Sequence, residues 1–354
     1  MLFLRKRDRM LRKLRVRKIY ILLKTEVFIL PSRIAAFVFV FGLLTLPFFT
    51  QDAYLLRILI LTSIFAIYAA SWDLLSGFTG QMNFGHALFF GVAAYTAAFL
   101  NIHGHLRPYI TIPLGALAAV ISGTVIGIPS LRLKGAYLAL TTLAFPIILM
   151  GIVFGIPNIT GGELGLSEID PLSNSRLSVY YITVVLMLSL NLVMWKLTDS
   201  KTGIILHAIR EDELAAKASG VNTTYYKLMA FCLSGFFAGI AGGLYAHVMN
   251  VVGPSTLEVW TSFQAVIWTV FGGMVSIYGP IAGVFILFPL MEYLRIISDL
   301  RFLIFALVLS LTLLFMPEGI IPWIRDKIET LCPRCKNRNF VRSKTCRVCS
   351  AQLY

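Results

Sequence analysis

The sequence predicts an all-α, polytopic membrane protein of about ten transmembrane helices, ending in a small cysteine-bearing tail. Three observations carry this. The 354 residues are 58% hydrophobic and only 14% charged, with a mean hydropathy of +0.81, whereas soluble domains are about a quarter charged. Apolar runs near the roughly 20 residues needed to cross a hydrocarbon core recur along most of the chain. The positive charge is gathered at the two ends. Residues 1–33 hold eleven Lys/Arg against Asp8 and Glu26, and residues 321–354 hold eight against Asp326 and Glu329.

The expected spans fall near 34–50, 53–72, 81–100, 109–130, 136–156, 178–197, 226–248, 259–276, 280–297 and 301–317. An even count puts both basic ends on one side, which the positive-inside rule makes cytoplasmic. The chain then divides into a basic cytoplasmic segment (1–33), a membrane domain (34–325) and a cytoplasmic tail (326–354). Arg132 and Lys134, and then Lys201, Arg210 and Lys217, fall inside, while the 157–177 loop with Glu163, Glu168 and Asp170 falls outside. Arg107, Arg295 and Arg301 are the exceptions. Basic ends flanking a membrane region fit anchoring to an anionic leaflet, and without aromatic interleaving they are a poor nucleic-acid footprint. The start does not read as a cleavable signal peptide, because its apolar segment comes late and no small-residue cleavage site follows.

Between the second and third runs lies LLSGFTGQMNFGHALF, residues 74–89. Gly77, Gly80 and Gly85 loosen the backbone, and Thr79, Gln81, Asn83 and His86 offer donors and acceptors. Two readings stand: a turn at the membrane surface ending near Gln81, or a broken helix beside a pathway, since irregular backbone at membrane depth survives only where it is buried in protein or lines a cavity. Asp73, at the end of the run before it, is either a functional intramembrane acid or a helix-end residue facing interfacial water. His86 and His247 have no second ligand at metal-binding spacing and read as hydrogen-bonded structural histidines.

In the seventh span Gly235, Gly239 and Gly243 recur every fourth residue, and Gly123 and Gly127 repeat the device in the fourth. Such stripes let helices approach closely in lipid; the readings are packing within one bundle, or a conduit or subunit contact. Cys232 reads as packing within the seventh span. Residues 204–220 read as one amphipathic helix with Ile205, Ile209 and Ala216 on its apolar face, a Glu213–Lys217 pair at i,i+4 and a stop at Gly220. It either lies on the membrane or serves as a handle for a partner.

The tail carries Cys332-Pro-Arg-Cys335 and Cys346-Arg-Val-Cys349. Two such knuckles offer four thiolates for structural tetrahedral zinc in a compact zinc ribbon, which metal binding would fold; disulfides are disfavoured in a reducing compartment. No phosphate-binding Walker loop, nucleophile elbow or H-E-x-x-H motif occurs, so the chain is expected to have no ATP site and no catalytic activity of its own.

Several separated segments together resemble the permease subunits of branched-chain amino acid ABC importers, the LivM-like family. Gly77-Phe-Thr-Gly-Gln-Met-Asn-Phe-Gly-His86 is similar to that family's G-Y-T-G-Q-x-S-x-G-H signature, and Leu131-Arg-Leu-Lys-Gly-Ala-Tyr-Leu-Ala-Leu-Thr-Thr-Leu-Ala144 to its R-G-x-Y-L-A-x-x-T-L-A segment. Thr160-Gly-Gly-Glu-Leu-Gly-Leu166 follows its T-G-G-x-x-G-L, and Ala208-Ile-Arg-Glu-Asp-Glu-Leu-Ala-Ala-Lys-Ala-Ser-Gly220 its A-I-R-E-x-E-x-A-A-x-x-x-G. Phe271-Gly-Gly-Met-Val-Ser-Ile-Tyr-Gly-Pro280 and Phe315-Met-Pro-Glu-Gly319 complete the order over residues 53–325, with Met274 in place of a usual Gly and Met316 in place of a usual Arg. Neither the basic start nor the cysteine tail belongs to the common pattern.

The resemblance implies an ABC importer permease fold in a prokaryotic plasma membrane. It also implies a second, similar permease subunit, two cytosolic ATP-binding subunits and an extracytoplasmic solute-binding protein as partners. It makes 204–220 a coupling helix whose Arg210, Glu211 and Glu213 contact the ATPase, with Gly220 at its end, and it places Thr79, Gln81, Asn83 and His86 along a translocation path. Two alternatives stand beside it: a related permease for sugars, nucleosides or urea-like solutes, and a membrane-anchored interaction platform whose zinc ribbon is the working part.

Overall fold

The structure, a computed structural model, describes residues 31–50, 52–130, 133, 135–296, 301–335, 338–341, 345–346, 349 and 351–352. The basic segment 1–30, with Arg132 and Lys134, lies outside the described residues. The chain forms two compact units, residues 51–321 and residues 1–50 with 322–354.

The larger unit is a helical bundle. Its elements are α2 (Ala53–Trp72), α3 (Ala87–Ile102), α4 (Pro108–Ser130), α5 (Ala136–Gly155), the single turn α6 (Pro157–Thr160), α7 (Arg176–Thr198), α8 (Lys201–Glu211), α9 (Glu213–Ala218), α10 (Thr223–Met249), α11 (Val259–Gly272), α12 (Tyr278–Tyr293) and α13 (Arg301–Phe315). In the other unit α1 spans Pro31–Phe49, and α14 spans Ile320–Ile328, most of it in that unit. Each expected apolar run thus has a helix. Among the described residues, however, only five helices are long and apolar enough to cross a membrane, or six if 303–328 counts as one broken span. Runs one, three, eight, nine and ten fall short of that length; the third starts at Ala87 rather than at 81, because residues 80–86 are irregular chain.

The ends of these helices follow local chemistry. Asp52 caps α2, its carboxylate accepting from the Tyr54 N–H at 3.0 Å, and Asn222 caps α10 through Tyr225 at 3.1 Å. At the far end of α10, Asn250 takes the left-handed conformation, φ 58°, which Asn tolerates better than most residues.

Helices α3, α4 and α10 pack most closely, and α2 runs beside α7, α10, α11 and α12. The glycine stripe of α10 makes the first of these contacts. A Cβ on Gly239 would stand 2.8 Å from Ala116 Cα, one on Gly243 3.1 Å from Ile112 Cα, and one on Gly235 3.0 Å from the Phe89 ring. Gly123 and Gly127 of α4 meet the rings of Phe89 and Phe231 in the same way. The stripe is therefore filled by the chain's own α4 and α3. Cys232 is half-buried in the same interface, 3.3 Å from Thr124 Oγ1. The 157–177 connection is tied to the bundle by a two-residue antiparallel pair, β1 (Leu166–Ser167) with β2 (Val251–Val252). His247 is the structural histidine expected, its ring nitrogens 2.7 Å from Thr111 Oγ1 and 2.7 Å from the Asp170 carbonyl.

In the other unit, β3 (Glu329–Leu331) pairs antiparallel with β4 (Arg338–Phe340), and Thr345 bridges to Gln352. Lys327 Nζ lies 3.6 Å from the centre of the Trp323 ring, a cation–π contact.

Candidate functional site: a broken helix and the short helices seated on it

After Trp72 the second helix does not end at the bundle surface. It widens into a π-helical turn, Asp73–Gly77, remains helical to Thr79, and then runs as irregular chain to the start of α3. Thr79, Gln81, Asn83 and His86 are all buried, at 0–5% exposure, whereas Met82 is 56% exposed. The stretch is broken chain whose polar side chains pack into the bundle, with Gly80 and Met82 at its surface.

Backbone here has lost its helical partners, and other helices replace them. The Ser71 carbonyl accepts from Ser234 Oγ at 2.6 Å, while the Ala69 carbonyl keeps its helical bond from the Asp73 N–H and accepts a second from Thr269 Oγ1 at 3.2 Å. Beyond the turn, the Phe84 N–H donates to Thr142 Oγ1 at 3.1 Å and the Ala87 N–H to Ser262 Oγ at 2.9 Å. Residues of the stretch complete the set: Ser76 Oγ accepts from the Asn83 N–H, Asn83 Oδ1 from the Gly85 N–H, and Trp72 Nε1 donates to the Asn83 carbonyl. In lipid each such group left unpaired costs several kcal/mol, so the hydroxyls of α5, α10 and α11 are conditions for the break. His86 Nε2 lies 2.9 Å from Ser71 Oγ, with the ring against Tyr68. Asn83 Nδ2 and His86 Nδ1 are buried and find no hydrogen-bond partner among the described residues.

Asp73 is fully buried, which corrects the interfacial-water reading. Its Oδ1 accepts from the Val275 N–H at 2.9 Å and its Oδ2 from the Ser276 N–H at 3.0 Å. This partner lies two hundred residues further along the chain, beyond the reach of any local pattern around Asp73.

The 204–220 helix is two helices. Asp212 leaves helical geometry and caps α9, its carboxylate accepting from the Leu214 and Ala215 N–H groups at 2.8 and 3.1 Å. An Asp followed by Glu in the first turn is an N-cap signal that the longer apolar periodicity masked. Leu206, Ile209 and Ala216 are buried, with Ile205 at the edge. Glu213 does pair with Lys217, at 3.0 Å, but it also pairs with Lys227 at 2.7 Å and accepts from Thr223 Oγ1, so it ties α9 to α10. Arg210 turns inward, and its Nη1 donates to the Gly77 carbonyl at 2.8 Å. Glu211 is solvent-exposed, 3.8 Å from His207 Nδ1; Ile204 and Leu214 are 68% and 70% exposed. Gly220 closes α9 at φ 84°, a left-handed value that suits glycine.

In the tail the sulfurs of Cys332, Cys335, Cys346 and Cys349 all lie within 4.8 Å of one another. Zinc–thiolate bonds of about 2.3 Å in a tetrahedron set sulfurs about 3.8 Å apart, so the residues fit a four-thiolate ion. Cys332–Cys349 at 3.5 Å and Cys335–Cys346 at 3.4 Å are thiol contacts, not disulfides.

A many-helix apolar bundle of this kind defines a multi-pass membrane protein. Residues 54–316 match the family model described as branched-chain amino acid transport system / permease component. The chain belongs to this family: it is a non-catalytic permease component of an ABC transport system. It is 29% identical over 298 residues to the high-affinity branched-chain amino acid transport system permease protein LivM of Salmonella typhimurium, covering 76% of this chain and 70% of the relative. The same protein of Escherichia coli matches to the same extent. The probable branched-chain amino acid transport permease protein LivH of Methanocaldococcus jannaschii is 27% identical, over 68% of this chain and 83% of its own. No solved structure matches.

Proposed function

We propose that this chain and a second, similar permease enclose the translocation path of a plasma-membrane importer for branched-chain or similar amino acids. Two cytosolic ATP-binding subunits power it, and an extracytoplasmic binding protein delivers the solute. The observation that carries this reading is the buried broken helix with α8 seated against it through Arg210 and Gly77: a site for solute and a handle for the motor meet in one contact. In this reading the chain crosses the membrane ten times with both ends cytoplasmic, and α8–α9 is the coupling element. Glu211, with Ile204 and Leu214, faces the ATPase, while Arg210, Glu213 and Gly220 fix the shape of the element that docks. Thr79, Gln81, Asn83 and His86 form the polar wall behind Met82, and the unpartnered Asn83 Nδ2 and His86 Nδ1 are groups a zwitterion in transit meets. Uncharged polar groups suit such a solute, which must not be held tightly on the way. The four tail cysteines hold structural zinc as a compact ribbon.

Single cysteines at 79, 81, 82 and 83, in a Cys232→Ser background with the tail intact, test the path. The residue at 82 reacts with a small aqueous thiol reagent at rest, and those at 79, 81 and 83 react only when binding protein, solute and ATP are present together. Unreactive sulfurs at 79, 81 and 83 in every nucleotide state refute the assignment. Competition by leucine against sugars, nucleosides and urea in the same vesicles decides the solute class.

A further inference from the structure

The coupling reading of α8–α9 leaves open how displacement of a surface helix reaches the rest of the bundle. We propose that Arg210 and Asp73, closing on Gly77, form the mechanical link that joins α8 to the α11–α12 hairpin, and that both act as positioning residues for transport. The link rests on that coupling reading.

Its first joint is the Arg210 Nη1 bond to the Gly77 carbonyl, 2.8 Å. The arginine stem lies against Gly80, where a Cβ would come within 3.3 Å of Arg210 Cγ, so α8 rests directly on the broken chain. The second joint is Gly77 itself, whose missing Cβ leaves the space that the Asp73 carboxylate fills. The third is the pair of bonds from Asp73 to the N–H groups of Val275 and Ser276, 2.9 and 3.0 Å, immediately ahead of α12.

Val275 adopts φ 62°. A β-branched residue in the left-handed region costs about 1–3 kcal/mol and persists only where its surroundings over-determine it. The two bonds to one buried carboxylate supply that determination. A carboxyl group buried without them would be costly, so Asp73 and the strained loop hold each other. A helix that moves Arg210 must therefore move the π-turn, and the π-turn cannot move without displacing the loop. A purely structural role is the competing explanation, in which Asp73 only offsets the strain at Val275.

The test uses the complete transporter, co-expressed with its permease, ATPase and binding-protein partners and reconstituted in vesicles. Asp73→Asn keeps one acceptor and loses the other, and Val275→Gly removes the strain while keeping its N–H. Val275→Gly alone transports normally. In Asp73→Asn, and in Asp73→Asn/Val275→Gly, solute moved per ATP hydrolysed falls by about tenfold, in line with the loss of a buried hydrogen-bond acceptor, while complex yield and ATP hydrolysis stay near wild type. Arg210→Ala lowers uptake by a similar factor, and the Asp73→Asn/Arg210→Ala pair is no worse than either single change, as expected of two residues in one linkage. Normal uptake in Asp73→Asn/Val275→Gly overturns the proposal, as does failure of that variant to assemble or an additive loss in the Asp73/Arg210 pair. Asp73 is buried and cannot touch the ATPase, so Leu214→Asp separates the two readings. If Leu214→Asp leaves the ATPase bound, the coupling reading fails; if it releases the ATPase while the Asp73 variants transport normally, only the link fails.

Discussion

Gly239→Ala adds one methyl group to α10 at its closest approach to α4. The new Cβ would stand 2.8 Å from Ala116 Cα and 2.9 Å from Ala119 Cβ, against ordinary carbon contacts of about 3.5–4.0 Å. Both neighbours are helix atoms with no rotamer to give, so the two helices must separate by most of an ångström along a seam that also seats Gly235 and Gly243. Helix association in lipid is driven by such packing, and overpacking costs about 1–3 kcal/mol. Gly151→Ala is the control, because a Cβ there meets nothing within 4 Å and Ala favours a helix over Gly by about 1 kcal/mol. Thermal unfolding of the detergent-solubilised chain, followed by fluorescence-detected size exclusion, should place Gly239→Ala several degrees below wild type and Gly151→Ala at or above it. If Gly239→Ala melts with Gly151→Ala, the α4–α10 seam is not the contact that the stripe serves, and the conduit or subunit-contact reading takes its place.

Thr142→Val keeps the β-branched shape of α5 but leaves the Phe84 N–H, now bonded at 3.1 Å, without a partner. The expected cost is about 1–3 kcal/mol, read in the same melt, and an unchanged melting temperature would show that the broken chain does not depend on that hydroxyl. For the tail, elemental analysis of the purified full chain should give one zinc per chain, lost in Cys346→Ser together with protection of the 329–341 hairpin from trypsin. Persistent zinc or protection in that variant refutes the four-thiolate site.

Composition and the spacing of apolar runs made the helices legible, because a chain in lipid must repeat one solution: enough apolar length with every backbone bond internal. The places where that solution is abandoned were legible as unusual residues, and their partners were not. Gly77, Gly80, Asn83 and His86 marked the break, yet the hydroxyls that satisfy it come from Thr142, Ser234 and Ser262, each an ordinary small residue in an apolar run. Asp73 was conspicuous, but a lone acid at a helix end looks the same whether it meets water or a distant loop. Arg210 and Glu213 looked like surface charges because helix periodicity assigns a face and says nothing of what long side chains reach. Asp212 hid its capping role for a related reason, since one extended residue barely disturbs the apolar pattern on either side.

The partners that the sequence concealed also explain why the break can serve transport. A continuous helix satisfies its own backbone and can slide or tilt without consulting its neighbours. The chain from Ser71 to Ala87 cannot, because its polar groups are held by α5, α8, α10, α11 and the loop ahead of α12. Moving any one of these elements breaks bonds at the junction unless the others follow, and at membrane depth few waters are present to replace them. The penalty that makes broken backbone rare in lipid therefore makes this junction a point where separate helices are obliged to move together. If Thr79, Gln81, Asn83 and His86 line the path as proposed, a subunit that changes its access from one side of a membrane to the other needs that property there and can dispense with it elsewhere.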